Sequence, residues 1–242
     1  MTNFGFKDDL MDYTFVDDVQ VTLIDHMAAD RMVIRAAKVS TQGAQVDDSP
    51  EGNYGFINFL IKNRHSSPFE HNSFTWRISG PIFMWREFMR HRIGVSYNEE
   101  SGRYKQLDPV FYNPGEGRNL TQVGKPGHYV YEPGSSEQRS LTDMILKNTC
   151  VTAYNGYLDL LDAGVAREVA RMALPLNIVS TVYVTMNARS LMHFLSLRVK
   201  DETSLFPSYP MREIEMAAQK MEKDFSELMP LTHQAFVDNG RA

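Results

Sequence analysis

The sequence predicts an α/β chain of the mixed α+β kind. A central, mostly antiparallel sheet is flanked by helices, in one domain spanning 1–242 and not in a Rossmann fold. Three observations predict it. Stretches of period-2 alternation at Val19–Ile24, Asn72–Ser79 and Val182–Met186 are interspersed with stretches of helical periodicity. The two kinds do not follow one another in the βαβ rhythm that builds a parallel sheet. The chain also lacks both GxGxxG and GxxxxGK[ST], so no standard dinucleotide turn or P-loop is available.

Each element has its own signal. Val19–Ile24 is alternating and β-branched, a strand. Ala28–Val39 reads as a helix with basic residues toward its end. Asn53–Lys62 carries Tyr54, Phe56, Ile57, Phe59, Leu60 and Ile61 on an apolar helical face and stops before His65-Ser66-Ser67-Pro68. In Asn72–Ser79, Phe74, Trp76 and Ile78 share one face of a strand. Pro81 suits a first helical turn. Ile82, Trp85 and Met89 then form one stripe, with Arg86 and Arg90 on another face. Asn113–Glu137, rich in Gly and Pro, reads as a long excursion, functional or mobile. Ser140–Ala163 is the longest helical pattern, with Gly164 as its stop. A short helix ends at Leu174 before Pro175. Val182–Met186 is a strand, and Ser190–Val199 and Met211–Leu228 are helices.

Composition narrows the function. The 242 residues suffice for one sizeable core. With 25 Lys+Arg against 30 Asp+Glu, the net charge of −5 disfavours a general nucleic-acid coat, which needs a broad positive surface. The single cysteine, Cys150, permits neither an intrachain disulfide nor a multi-thiolate metal site, so a cytoplasmic setting and no metal are expected. No apolar run approaches the roughly 20 residues of a membrane span. Met1–Asp9 has no basic-then-apolar signal pattern.

The chemistry concentrates in Arg90-His91-Arg92-Ile93-Gly94-Val95-Ser96-Tyr97-Asn98-Glu99-Glu100-Ser101-Gly102-Arg103-Tyr104. Guanidinium groups match phosphate oxygens in a bidentate fork and stay charged at any working pH. Glycines let backbone N–H groups approach an anion. By composition alone the segment fits either an anion site or a solvated basic turn with local Glu87, Glu99 and Glu100 pairs.

The string resembles the signature of the flavin-dependent thymidylate synthases, which begins Arg-His-Arg and ends Ser-x-Arg-Tyr. Three further segments are similar to that family in the same order. They are His65-Ser66-Ser67-Pro68-Phe69-Glu70-His71, Arg171-Met172-Ala173-Leu174-Pro175-Leu176-Asn177, and Asn187-Ala188-Arg189-Ser190-Leu191 followed by Phe194-Leu195 and Leu197-Arg198. Eight residues separate Arg92 from Ser101, where the commoner form has seven. Val199–Glu202 lacks a histidine that many members carry there, and Glu87 stands where Gln is frequent.

The resemblance implies a homotetramer with active sites between subunits. It implies conversion of dUMP to dTMP, with methylenetetrahydrofolate, a folate, as one-carbon donor and NADPH reducing a bound FAD. The implied catalytic residues are Arg198, Ser101 and His65. Arg198 matches the arginine set against the uracil, and His65 a histidine near the flavin. Ser40, Ser67, Arg90, His91, Arg92, Glu99, Asn187, Arg189 and His193 match flavin-contact positions, His193 with a substituted side chain. Glu87, Arg90, Glu99, Ser101, Gly102, Arg103, Tyr104, Arg171 and Arg198 match substrate contacts. Read without the family, His193 is also a satisfied core or interface histidine, and Ser101 shows no base that would activate it as a nucleophile. A flavin-free nucleotide-binding module and an RNA-binding domain are the competing classes. Cys150 lies inside the long helical pattern, away from the arginines in sequence, and reads as a small buried hydrophobe.

Overall fold

The computed structural model describes residues 13–43, 53–126 and 128–242. The stretch read above as lacking a targeting signal, and Gly127 in the Gly/Pro-rich segment, lie outside the described residues. In chain order the elements are β1 (Thr14–Val16), β2 (Gln20–Met27), α1 (Asp30–Gln42), α2 (Tyr54–Lys62), a 3-10 turn (Ser67–His71), β3 (Ser73–Pro81), α3 (Ile82–Phe88) and β4 (Val95–Glu99). Then come β5 (Val110–Tyr112), β6 (Thr121–Lys125), β7 (His128–Glu132), α4 (Ser136–Asp162), α5 (Arg167–Ala170), a second 3-10 turn (Arg171–Ala173), β8 (Val179–Asn187), α6 (Ala188–Arg198), α7 (Arg212–Leu228) and α8 (Pro230–Asp238). The fold is the expected mixed α/β one. Its main sheet has the order β2-β3-β8-β4, with β2–β3 and β4–β8 antiparallel. Chain contacts group these elements into two compact units.

The first unit comprises Gly80–Trp85, Glu100–Ser180 and the described part of Met1–Val19. Its core is Leu107, Phe111, Cys150, Tyr154, Tyr157, Ala170 and Ile178, all buried. β1 and β5 pair in parallel. α4 begins earlier than the apolar periodicity shows, because Ser135 and Gln138 form a reciprocal capping box. At its other end Gly164, at φ +79°, lets the Gly164 and Val165 N–H groups reach Leu161 O and Leu160 O, a Schellman closure. The Gly/Pro-rich segment is not one long loop: β6 and β7 form an antiparallel hairpin inside it. Its strand residues, Val123 and Tyr129 to Tyr131, are few and flanked by turn formers, which masked the alternation.

The second unit comprises Gln20–Ser79, Arg86–Glu99 and Thr181–Ala242. Phe74, Trp76 and Ile78 of β3, with Val182, Val184 and Met186 of β8, are buried as the alternation requires. Phe74 stacks on Trp76 at 5.2 Å between centroids, and Phe225 of α7 meets Phe74 edge-on. Thr75 bonds Thr185 and Ser79 bonds Thr181, tying the outer faces of β3 and β8. Asp30, opening α1, accepts the Leu231 and Thr232 N–H groups and so caps α8. Two local expectations are corrected here. Pro81 ends β3 rather than starting a helix. α3 closes at Phe88, so Arg90 sits in a turn (Arg90 N–H to Glu87 O, 3.2 Å) and does not continue the Arg86 face.

Candidate active site

The arginine-rich signature is a turn, a strand and a second turn. In the second unit, the His91 N–H donates to Phe88 O and breaks the chain away from α3. Tyr97 of β4 reaches back and donates to His91 O at 2.6 Å and Phe88 O at 3.1 Å. Burial pushes the Tyr97 phenol up to about 12, so it remains a donor at any working pH. Gly94 has φ +67°, and a Cβ there would stand 2.4 Å from Ser190 Oγ, itself bonded to Ile93 O. The turn therefore needs glycine for both conformation and space. Asn187 caps α6 by accepting the Ser190 N–H. The signature turn and the start of α6 are thereby locked to each other.

That lock brings three predicted residues together. Arg198, at the end of α6, pairs with Glu87 of α3 and donates from Nε to His91 Nε2 at 3.0 Å. Arginine only donates, so His91 must be neutral with its lone pair on Nε2. Its pKa falls to about 4, first because it is buried, then because Arg198 and His193 lie close. Phe194 packs edge-on against the His91 ring at 4.9 Å. Arg198 is thus a largely buried cation held by one carboxylate and one neutral acceptor. Arg90 and Arg92 flank His91, are exposed, and carry no ion pair among the described residues. Glu99 is exposed on β4.

A cavity of about 480 Å³ lies in the same unit. His65, Arg189 and His193 line it, with apolar walls from Leu60, Phe69, Met192 and Leu197. Arg189 is ion-paired with Glu70, and His65 meets Phe59 edge-on at 5.7 Å. A mostly apolar cavity with a few convergent polar groups suits a flat ring system, so these residues fit a flavin ring. Ser40 and Ser67 do not line it. Ser40, exposed toward the end of α1, donates from Oγ to Ala37 O, and Ser67 opens the first 3-10 turn. Arg64, Ser66 and Arg241 do line it, although sequence reading assigned them no role. Ser66 sat inside a quoted motif; Arg241 had no local signal at all.

The other end of the signature belongs to the first unit. Ser101 O accepts from the Tyr104 and Lys105 N–H groups, and Ser101 Oγ accepts from the Arg103 N–H at 3.2 Å. This tight turn is Ser101's role in the fold, and no histidine or carboxylate bonded to its hydroxyl is among the described contacts. A Cβ on Gly102 would press on the Arg171 stem and Leu107, each at 3.2 Å, so glycine lets the turn lie against Arg171. Arg103 pairs with Glu168 at 2.9 Å, with both side chains half-exposed. Arg171 is exposed and carries no ion pair among the described residues. Tyr104 is 80% exposed and accompanies Arg103 at 5.9 Å. Cys150 is in the core, bonded to Asn177 Nδ2 at 3.1 Å, and burial raises its thiol pKa. Among the described residues no cluster of three His, Cys, Asp or Glu side chains could hold a metal.

The model of the thymidylate synthase complementing protein family matches residues 22–231. The chain belongs to this family, the flavin-dependent thymidylate synthases. A flavin-dependent thymidylate synthase of Streptomyces avermitilis is 55% identical over 232 residues, covering 94% of each chain. One from Tropheryma whipplei is 54% identical over 235 residues, 96% of this chain and 98% of the relative. Among solved structures, the UMP/dUMP methylase PolB of Streptomyces cacaoi with 5-bromo-UMP superposes with TM-score 0.88 at 44% identity, covering 95% and 98% of the two chains. The same protein with 5-bromo-dUMP gives TM-score 0.89, covering 95% and 99%.

Proposed function

We propose that this chain converts dUMP to dTMP with methylenetetrahydrofolate as one-carbon donor, NADPH-reduced FAD as hydride carrier and no enzymic cysteine nucleophile. Relatives above 50% identity are named for the flavin-dependent synthesis of thymidylate, and a solved relative binds brominated UMP and dUMP. The observation that carries the reading is how the arginines are used. In a chain of net charge −5, Arg90, Arg92 and Arg171 stay exposed without an ion pair among the described residues, whereas Arg198 is largely buried and fixed. Exposed unpaired guanidiniums are free to bind phosphates bidentately. A fixed, water-poor cation can stabilise negative charge developing on a uracil ring.

The roles follow. Arg90 and Arg92 serve the flavin, Arg90 also the nucleotide, and Arg103 and Arg171 are substrate contacts. Gly102 and Tyr104 shape the turn that presents Arg103, and Ser101 holds that turn. Glu87 and His91 position Arg198 toward the uracil. His65, Arg189 and His193 serve the flavin from the cavity, and Asn187, Ser40, Ser67 and Glu99 are assigned to it by the resemblance alone. A bound flavin supplies the hydride; the protein supplies orientation and charge. The buried Cys150 thiol, its pKa raised by burial, supports a reading without an enzymic thiol, since such a thiol is a poor nucleophile. Exposed apolar side chains on α4 (Leu141, Met144 and Ile145) and on β7 (Val130 and Tyr131) support assembly into a homotetramer. No helix among the described residues is long and apolar enough to cross a membrane, and the one cysteine accords with a reducing cytoplasm.

The test is the visible spectrum of the purified protein, followed by NADPH-dependent formation of dTMP. Flavin bands and turnover support the reading. Colourless protein that cannot be reconstituted with FAD contradicts it and favours the flavin-free module.

A further inference from the structure

The proposed reaction brings three ring systems to the protein: the uracil of dUMP, the isoalloxazine of FAD and the pterin of folate. The residues placed so far serve the first two. The one-carbon donor must meet flavin and uracil in one place, so its site adjoins theirs. The cavity lined by His65, Arg189 and His193 has two further lining residues with chemistry for such a ligand, Phe206 and Arg64.

Phe206 is 71% exposed. An aromatic ring left this open forgoes the stabilisation of burial. On a cavity wall, a flat ligand ring stacked on it would restore that burial. The segment that carries Phe206 is held on both sides. Asp201 Oδ1 accepts from the Thr203 N–H at 2.8 Å and from Thr203 Oγ1 at 2.6 Å. The Leu205 N–H donates to Gly240 O at 2.9 Å, and Ser208 Oγ donates to Val199 O at 3.2 Å.

Arg64 closes α2. Its N–H donates to Ile61 O at 2.9 Å, and the His65 N–H donates to Leu60 O at 2.8 Å. Its φ of +57° belongs to that closure. Arg64 is exposed and carries no ion pair among the described residues, whereas Arg189 on the same cavity is paired with Glu70. A ring face and an exposed cation on one cavity suit a ligand that is planar at one end and anionic at the other. Folate has this form, with pterin and aminobenzoyl rings leading to glutamate carboxylates. FAD also joins a ring to anions, but Arg90 and Arg92 are already assigned to it.

We infer that Phe206 and Arg64 bind the folate co-substrate, Phe206 stacking on one of its rings and Arg64 pairing with a glutamate carboxylate. The inference rests on the proposed function. Phe206→Ala and Arg64→Gln remove exposed side-chain groups and leave the hydrogen bonds above in place. Leu205→Ala and Lys62→Gln change neighbours that do not line the cavity and serve as controls. Two affinities are measured for each protein: tetrahydrofolate to flavin-loaded protein by calorimetry, at low and high salt, and FAD to apoprotein by fluorescence quenching. Phe206→Ala is expected to weaken tetrahydrofolate about tenfold and Arg64→Gln about threefold, with FAD changed less than twofold. Arg64→Gln also flattens the salt dependence of tetrahydrofolate binding, and both controls stay within twofold of wild type. Unchanged tetrahydrofolate affinity in either variant, equal losses in the controls, or a loss of FAD affinity instead overturns the inference, while dTMP formation by the wild type leaves the function standing. Wild-type protein that forms no dTMP from methylenetetrahydrofolate fails the function and the inference together. Should either variant not fold, hydrogen exchange of the flavin-loaded wild type decides: tetrahydrofolate slows exchange at residues 63–66 and 203–208, and no slowing overturns the assignment.

Discussion

His91 shows how one residue's protonation state organises its neighbours. Arg198 donates to its Nε2, which is possible only while the ring is neutral. The folded pKa of about 4 lies below the ordinary imidazole value near 6.5. The unfolded chain therefore takes up a proton first as pH falls. The stabilising contribution is complete above about 6.5 and is lost toward pH 4, with a slope of at most about 1.4 kcal/mol per pH unit. Chemical denaturation between pH 7 and 4.5 should show this loss. His91→Gln, which keeps an acceptor and cannot titrate, should flatten it; an unchanged slope in that variant would place the pH dependence elsewhere. For Arg198→Ala we expect turnover to fall at least 100-fold, in line with the loss of a preorganised electrostatic donor, with the flavin retained in the visible spectrum. Turnover within a few-fold of wild type would remove Arg198 from the site.

At the scale of elements, the signature works because a turn, β4 and the start of α6 are bolted together at Gly94. Gly94→Ala would put a methyl group 2.4 Å from Ser190 Oγ at φ +67°. We expect a loss of about 1–2 kcal/mol from the backbone conformation alone, more with the clash, read as a lower denaturant midpoint. Ser135→Ala removes half of the α4 capping box and should cost about 1 kcal/mol; no change in midpoint would mean that the α4 start contributes nothing to the cooperative fold. The elements legible in the sequence were those with regular periodicity or clear stop signals: β2, α1, α2, β3, α3, α4, α5, β8, α6 and α7. β4 was hidden because its exposed face is polar (Ser96, Asn98) and the segment reads first as a binding loop. α8 was hidden because its first turn is capped by Asp30, about 200 residues away, a partner no local window contains. The same holds for the candidate site. Motif matches pointed to Arg198, His65 and Arg103 as candidates, but the Glu87–Arg198–His91 arrangement and the buried Arg241 depend on contacts between segments more than 100 or about 20 to 40 residues apart.

Across the whole molecule, charge and the single thiol set the account. Acidic residues fix Arg103, Arg189, Arg198 and Arg241, while Arg90, Arg92 and Arg171 are exposed without an ion pair among the described residues. Cys150 fills the core of the first unit beside Asn177 and has no part in the proposed chemistry. The most direct test is dTMP formation by purified Cys150→Ala protein loaded with FAD and supplied with dUMP, methylenetetrahydrofolate and NADPH. The account predicts turnover within a few-fold of wild type that disappears when FAD or NADPH is omitted. A folded, flavin-loaded Cys150→Ala protein that forms no dTMP, beside an active wild type, would contradict it.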